Sequence, residues 1–133
     1  MSAWIMPFAW GNKNLRILQK GANDDQYRLL LEAGVFKFQI AGVGLAAAPL
    51  PPINAWSHVV GTYDGIAVRI YINGVEAGST PATQQMPVTF DSLVIGSKTI
   101  GAPAVDRFSG RIDEVRIYGR ALSAVEVAQL AAN

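Results

Sequence analysis

Apolar and polar residues alternate along this chain in short runs cut by glycine, proline, asparagine and aspartate, which is the pattern of half-buried strands rather than of helices. The runs AWIMPF (3–8), NLRILQ (14–19), QYRLLLE (26–32) and VFKFQI (35–40) predict the first four strands. Ala33-Gly34 separates the last two, and glycine reaches the positive φ that a tight hairpin demands. Within 35–40, Phe36, Phe38 and Ile40 share one face and Val35, Lys37 and Gln39 the other, so one face is expected in the core and the other in water.

The middle of the chain carries the sharpest local signal. WSHVVGTYDG runs from Trp56 to Gly65, and IAVRIYI follows, closed by Asn73-Gly74 and VEAGS. Asp64-Gly65 and Asn73-Gly74 are preferred pairs for two-residue type I′ turns, so a meander of three strands is predicted. In its central strand Val68, Ile70 and Ile72 point one way, toward the core, and Ala67, Arg69 and Tyr71 the other. SLVIGS (92–97) is a further strand, followed by a loop with Gly101, Pro103 and Asp106 and then by FSGRIDEVRIYGRALS. Ile112 is out of phase with Val115 and Ile117, and a bulge near Asp113-Glu114 would bring all three onto one face. Ser123-x-x-Glu126 is a capping box, with Leu122 and Val127 placed as a hydrophobic staple, so Ala124 to Leu130 is predicted to close the chain as a short helix. The whole reads as an all-β sandwich or barrel ending in one helix.

Composition narrows the partners. The length of 133 residues fits a single domain able to bury a conventional core, and the absence of cysteine excludes disulfides, thiolate nucleophiles and Cys-ligated metals. A net charge of +1 with interspersed signs gives no footprint for nucleic acid or an anionic membrane. Hydrophobic residues make up 50% and charged residues only 16%, so the surface is either unusually apolar or partly covered by another molecule. The apolar start has no basic residue before it and contains Pro7, so it reads as a strand and not as an export signal. The longest apolar stretch, 40–55, is interrupted by Gly42, Gly44, Pro49, Pro51 and Pro52, which argues against a membrane-spanning helix.

Candidate chemistry is sparse. Hydrolysis of a glycosidic bond needs two carboxyl groups facing each other across the substrate. The close acidic pairs, Asp24-Asp25 and Asp113-Glu114, are adjacent, and in a regular strand adjacent side chains point to opposite faces, so no enzyme is expected. His58 is the sole histidine, on the face of Trp56 and Val60, and reads as a core-edge residue hydrogen-bonded to backbone. Tyr63, Arg69 and Tyr71 lie on adjacent strands, where aromatic rings and a guanidinium suit sugar recognition and equally suit cross-strand packing. Trp4, Trp10 and Trp56 read as core or rim packing. Asp113 is either one ligand of a calcium ion, helped by backbone carbonyls at a bulge, or a salt-bridge partner of Arg111, Arg116 or Arg120.

Two strings carry a family resemblance. W-S-H-V-V-G-T-Y-D-G-x-x-V-R-I-Y-I-N-G-V-E, from Trp56 to Glu76, resembles the central meander of the LamG-like jelly-roll domains in the concanavalin A-like lectin/glucanase superfamily. F-S-G-R-I-D-E-V-R-I-Y-G-R-A-L-S-A-V-E-V, from Phe108 to Val127, resembles their closing strand and helix, and Leu93-Val94-Ile95-Gly96 stands where they have a short strand. The resemblance implies one domain over 1–133, folded as a jelly-roll sandwich of two antiparallel sheets. It implies a non-catalytic module that binds glycans or, alternatively, a structural or adhesive module meeting another protein or its own copy, with Val43 to Pro52 as apolar surface. Such domains are usually extracellular. In related glucanases the aspartate of a motif like Ile112-Asp113-Glu114-Val115-Arg116 helps hold a structural calcium, a role that passes by resemblance to Asp113 alone. Family members generally begin one strand earlier, roughly "sLxFDGxxDYV", beside the closing strand. Its lack would leave an edge unpaired, and the expected remedies are a longer parent chain, a rearranged edge or a homo-oligomer.

Overall fold

Two rows of aliphatic and aromatic side chains, one from each of two sheets, meet at the centre of the molecule. The computed structural model describes residues 1–11, 13–21, 25–99 and 106–133. The element order is β1 (Ser2–Pro7), β2 (Leu15–Lys20), β3 (Tyr27–Glu32), β4 (Val35–Ile40), β5 (Gly44–Ala48), β6 (Ser57–Tyr63), β7 (Ala67–Ile72), β8 (Val75–Pro81), β9 (Leu93–Ile95), β10 (Gly110–Arg116) and α1 (Ala124–Ala132). Two five-stranded antiparallel sheets result, ordered β10-β1-β6-β7-β8 and β5-β4-β3-β2-β9. This is the two-layer sandwich with a C-terminal helix that the alternation implies.

The register puts the apolar set of every strand on the inner side. Leu31 faces Phe36, Leu29 faces Phe38 and Tyr27 faces Ile40 across β3 and β4. Opposite them, Ala3, Ile5, Val59, Val68 and Ile70 of the first sheet are fully buried in the same cluster. Each large aliphatic or aromatic side chain so buried contributes about 1.5–3 kcal/mol. Two glycines let the layers close. A Cβ on Gly61 would stand 2.4 Å from the Phe38 ring, and a Cβ on Gly78 would stand 2.0 Å from the carbonyl oxygen of Ala47. Thus β8 and β5, the edges of the two sheets, touch through backbone.

Several local expectations hold and others shift. Asn73 (φ 50°) and Gly74 (φ 84°) make the two-residue turn expected of them. The β6–β7 connection has three residues instead of two, because the Asp64 carboxylate accepts the amides of Ile66 and Ala67, both at 2.9 Å, and draws Ile66 into the turn. The bulge is present: Ser2 pairs with Arg116 and Trp4 with Asp113, so β10 carries one extra residue, and Glu114 takes φ 50°. Ile112 and Val115 consequently both pack on the core, while Ile117 lies beyond β10 and is half exposed. β5 appears in none of the predicted runs: Gly-Leu-Ala-Ala-Ala has little strand preference, and full pairing with β4 specifies it. The loop residues Gly101 and Pro103, and Asp24 of the first acidic pair, lie outside the described residues.

The outer side of the second sheet is a correction. Lys37, expected in water, is 9% exposed, and Arg16 is 1% exposed. Lys37 Nζ meets Glu32 Oε2 at 2.8 Å, and Arg16 Nε donates to Gln19 Oε1 at 2.9 Å, with Glu32 at 3.5 Å and Asp106 at 3.8 Å. The hydrogen bond from Lys37 is the main cause that holds the Glu32 pKa below its ordinary value. The chain itself crosses this side: Gln26 Nε2 donates to Pro87 O at 3.0 Å, and Lys20 Nζ donates to the carbonyls of Thr89 and Asp91.

The helix closes the outer side of the first sheet over half its width. Ser123 accepts from the Glu126 amide while the Glu126 side chain returns to the Ser123 amide, the predicted capping box. Leu122 and Val127 are buried together with Val60 and Tyr71, so the helix sits on β6 and β7 and leaves β1 and β10 outside that cluster.

Replacing Gly78 by alanine is expected to destabilise the protein by about 1–3 kcal/mol, because a methyl cannot share space with a carbonyl oxygen. Thermal or urea unfolding measures it. Gly119→Ala, where a Cβ would meet nothing within 4 Å, is the control and should shift stability by less than about 0.5 kcal/mol.

Candidate functional site

The strands left uncovered by the helix carry a row of outward side chains. Trp4 pairs with Asp113 on one side and with His58 on the other, so Asp113, Trp4 and His58 stand abreast across β10, β1 and β6. Their neighbours Ile5 and Val59 are fully buried, and strand alternation turns the row outward. Trp56, just before β6 and 41% exposed, joins Trp4, Asp113 and Glu114 around a hollow of about 300 Å³. A second hollow of about 330 Å³ continues past Trp4 and Glu114 to His58, Arg116 and Leu130 of the helix. Together they form one groove between the bulged edge of the sheet and α1.

The bulge shapes its chemistry. Asp113 and Glu114 were expected on opposite faces, yet both line the same hollow, since the extra residue and the positive φ of Glu114 break the alternation there. Asp113 Oδ1 accepts the Glu114 amide at 2.8 Å. The Glu114 carboxylate is hydrogen-bonded and ion-paired to Arg116. His58 is held by its backbone: its amide donates to Asn73 Oδ1 at 2.8 Å, and its carbonyl accepts the Asn73 amide at 2.8 Å. Its ring lies 5.2 Å from that of Trp4, tilted by 41°, and Nδ1 is buried with no hydrogen-bond partner, not bonded to backbone as the sequence suggested. Burial first, and the Arg116 charge second, lower the His58 pKa below its ordinary 6.5, so the ring is neutral at pH 7.

The residues singled out from the sequence are not gathered in one place. Tyr63 pairs with Val68 and Thr62 with Arg69, so Tyr63 faces inward while Arg69 and Tyr71 face outward. The Tyr63 hydroxyl donates to the carbonyls of Ala82 and Gln84, and its ring borders a separate cavity of about 300 Å³ at one end of the sandwich with Tyr27, Phe38 and Ile40. Arg69 is engaged by Asp64 at 2.6 Å and Glu76 at 3.7 Å. Tyr71 is buried under α1. Trp10 packs as expected, on Phe36 and Phe108, with its indole N–H donating to Pro51 O at 2.7 Å. Trp4 and Trp56 instead border the groove, and the outward period of Trp56, His58 and Val60 was the signal for it. Asp113 has no basic partner among the described residues. No group of three or more His, Asp or Glu side chains able to hold a metal occurs among them either. Nor is any helix among the described residues long and apolar enough to cross a membrane.

Comparison with known proteins agrees with this architecture. The Laminin_G_3 family model, described as the concanavalin A-like lectin/glucanases superfamily, matches residues 1–128. No curated protein matches the chain. Among solved structures, a candidate carbohydrate binding protein from Bacteroides ovatus superimposes with a TM-score of 0.79 at 18% identity, over 96% of this chain and 39% of that one. Domain 4 of an extracellular arabinanase from Geobacillus stearothermophilus, in complex with arabinotriose, gives a TM-score of 0.72 at 24% identity, over 98% of this chain and 64% of that one. A heptameric SAP-like pentraxin from Limulus polyphemus gives 0.69 at 18% identity, over 98% of this chain and 67% of that one. The chain thus spans about two fifths of the first of these proteins and about two thirds of the others.

The single imidazole makes His58 directly measurable. Its proton resonances are expected to titrate below pH 6.5, and Arg116→Gln should move the midpoint upward. The native state binds this proton less readily than the unfolded chain, so its contribution to stability is full above about pH 6.5 and is lost as the pH falls through the folded value. In His58→Gln that part of the slope should vanish. A midpoint at or above 6.5 would contradict the burial described here.

Proposed function

This chain belongs to the Laminin_G_3 family of the concanavalin A-like lectin/glucanase superfamily, and on that premise we propose that it is a non-catalytic module that binds carbohydrate in the groove of Trp4, Trp56, Asp113 and Arg116. The observation that carries this reading is the pair of indoles bordering one hollow beside two carboxylates. An indole presents a flat apolar surface to the C–H face of a sugar ring, and carboxylates and a guanidinium fork take its hydroxyls. The arabinotriose held by the arabinanase domain and the carbohydrate-binding assignment of the Bacteroides protein support the ligand class. A non-catalytic role is supported by the acid pair: Asp113 and Glu114 are consecutive on one strand and Glu114 is engaged by Arg116, whereas hydrolysis needs carboxyl groups on both sides of the scissile bond.

A second reading, a structural or adhesive module, is favoured by Val88, Phe90 and Ile95. These stand exposed along β9 and the segment that enters it, β9 being an outermost strand of its sheet.

A glycan array followed by titration calorimetry tests the first reading. Trp56→Ala should weaken binding at least about tenfold, about 1.4 kcal/mol, with the thermal transition little changed because this side chain belongs to neither core cluster. Arg69→Ala, on the same sheet and outside the groove, should change affinity by less than about twofold. Unaltered binding by Trp56→Ala would place the site elsewhere, and turnover of any bound oligosaccharide would overturn the non-catalytic assignment. For the second reading, sedimentation at high concentration should show association that Phe90→Ser weakens, and a monomer throughout would remove it.

A further inference from the structure

The half of the groove farthest from the helix has an unusual wall. Four side chains line it, Trp4, Trp56, Asp113 and Glu114, two indoles and two acids. Its charge is not balanced. Arg116 engages Glu114, which neutralises one carboxylate, while Asp113 has no basic partner among the described residues. Arg111 lies two residues away on β10, the one remaining cation close enough in sequence to serve, yet its guanidinium sits 5.9 Å over the Phe8 ring and makes no ion pair with Asp113. An uncompensated carboxylate therefore lines the same hollow as two tryptophans. Tryptophan is the aromatic ring that attracts a cation most strongly, and the attraction grows as water is excluded.

The backbone holds this arrangement at a cost. Glu114 keeps a positive φ that a side chain larger than glycine disfavours, and without it Asp113 and Glu114 would not face the same hollow. A neutral sugar hydroxyl would use the carboxylates as acceptors and leave the charge of Asp113 unmatched. An ammonium group would donate to the carboxylates and lie against the indoles in the same pose.

From this juxtaposition, and resting on the carbohydrate reading above, we propose that the Trp4–Trp56–Asp113–Glu114 hollow selects a glycan bearing a positively charged ammonium group, a de-N-acetylated amino sugar, over its neutral N-acetylated counterpart. The same chemistry would admit a quaternary ammonium such as choline, and the two sources are separated by experiment.

Titration calorimetry of the full chain, with a chelator present throughout so that no metal contributes, compares glucosamine oligomers, N-acetylglucosamine oligomers of equal length and free choline. The glucosamine oligomer is expected to bind at least about fivefold more tightly than its acetylated form. The advantage should shrink as salt is raised. Asp113→Asn, an exposed and nearly isosteric change, should abolish the preference while circular dichroism and the thermal transition stay as they were. Equal affinity for the two oligomers, or silence with both while other glycans bind on the array, would overturn the ammonium selection and leave the carbohydrate reading standing. Choline bound without any sugar would keep the ammonium site and sink the carbohydrate reading. An empty array together with silence from all three probes would remove both.

Discussion

The burial of Ile5 and Val59 between the sheets decides where everything else on the first sheet can point. Each is fully enclosed, and each sits next in sequence to a residue of the outward row. Exposing either would forfeit about 1.5–3 kcal/mol, so the register of β1 against β6 and β10 is not free to slip by one residue. Trp4 and His58 face outward as a consequence of core packing two sheets deep. The groove is therefore built on rigid strands, the setting in which a recognition surface keeps its geometry without a ligand.

The helix completes the site from the other side. Its capping box and the Arg120–Glu126 ion pair fix its start, with the Arg120 hydrogen bond and then the Ser123 amide drawing the Glu126 pKa to about 2. Its seat is the β7–β8 turn, where a Cβ on Gly74 would come within 3.1 Å of the Ala128 Cα. Covering Val60 and Tyr71 but not Trp4, it divides one sheet face into a dry half and a half that borders the groove. The buried charges on the far sheet have another character. Arg16 bonds Gln19 and pairs with Glu32, which also holds Lys37, and the chain crosses above them, so that face resembles a polar core more than a binding surface.

What could be read from the residues follows from which forces act locally. Alternation and turn chemistry are local, so nine of the strands, the Asn73-Gly74 turn, the bulge and the capped helix are legible, as is the inward set of Phe36, Phe38 and Ile40. β5 is specified by its partner β4 and not by its own alanines, so it escapes such a reading. Tyr63, Arg69 and Tyr71 do not share one surface for a related reason. They lie close in sequence on paired strands, but the register across the hairpin and the helix that folds back onto Tyr71 are long-range facts. Trp4, Trp56 and Asp113 come from three distant segments, and only the sheet order brings them together.

The extra residue in β10 separates two demands that a regular strand would join. Ile112 and Val115 remain fixed to the interior, while the pair between them opens side by side toward solvent. Selection acting on those two positions can exchange acid for base, or either for an uncharged side chain, without disturbing the apolar contacts beneath. The bulge in this way gives the scaffold a place where surface chemistry is able to change while the sandwich stays as it is.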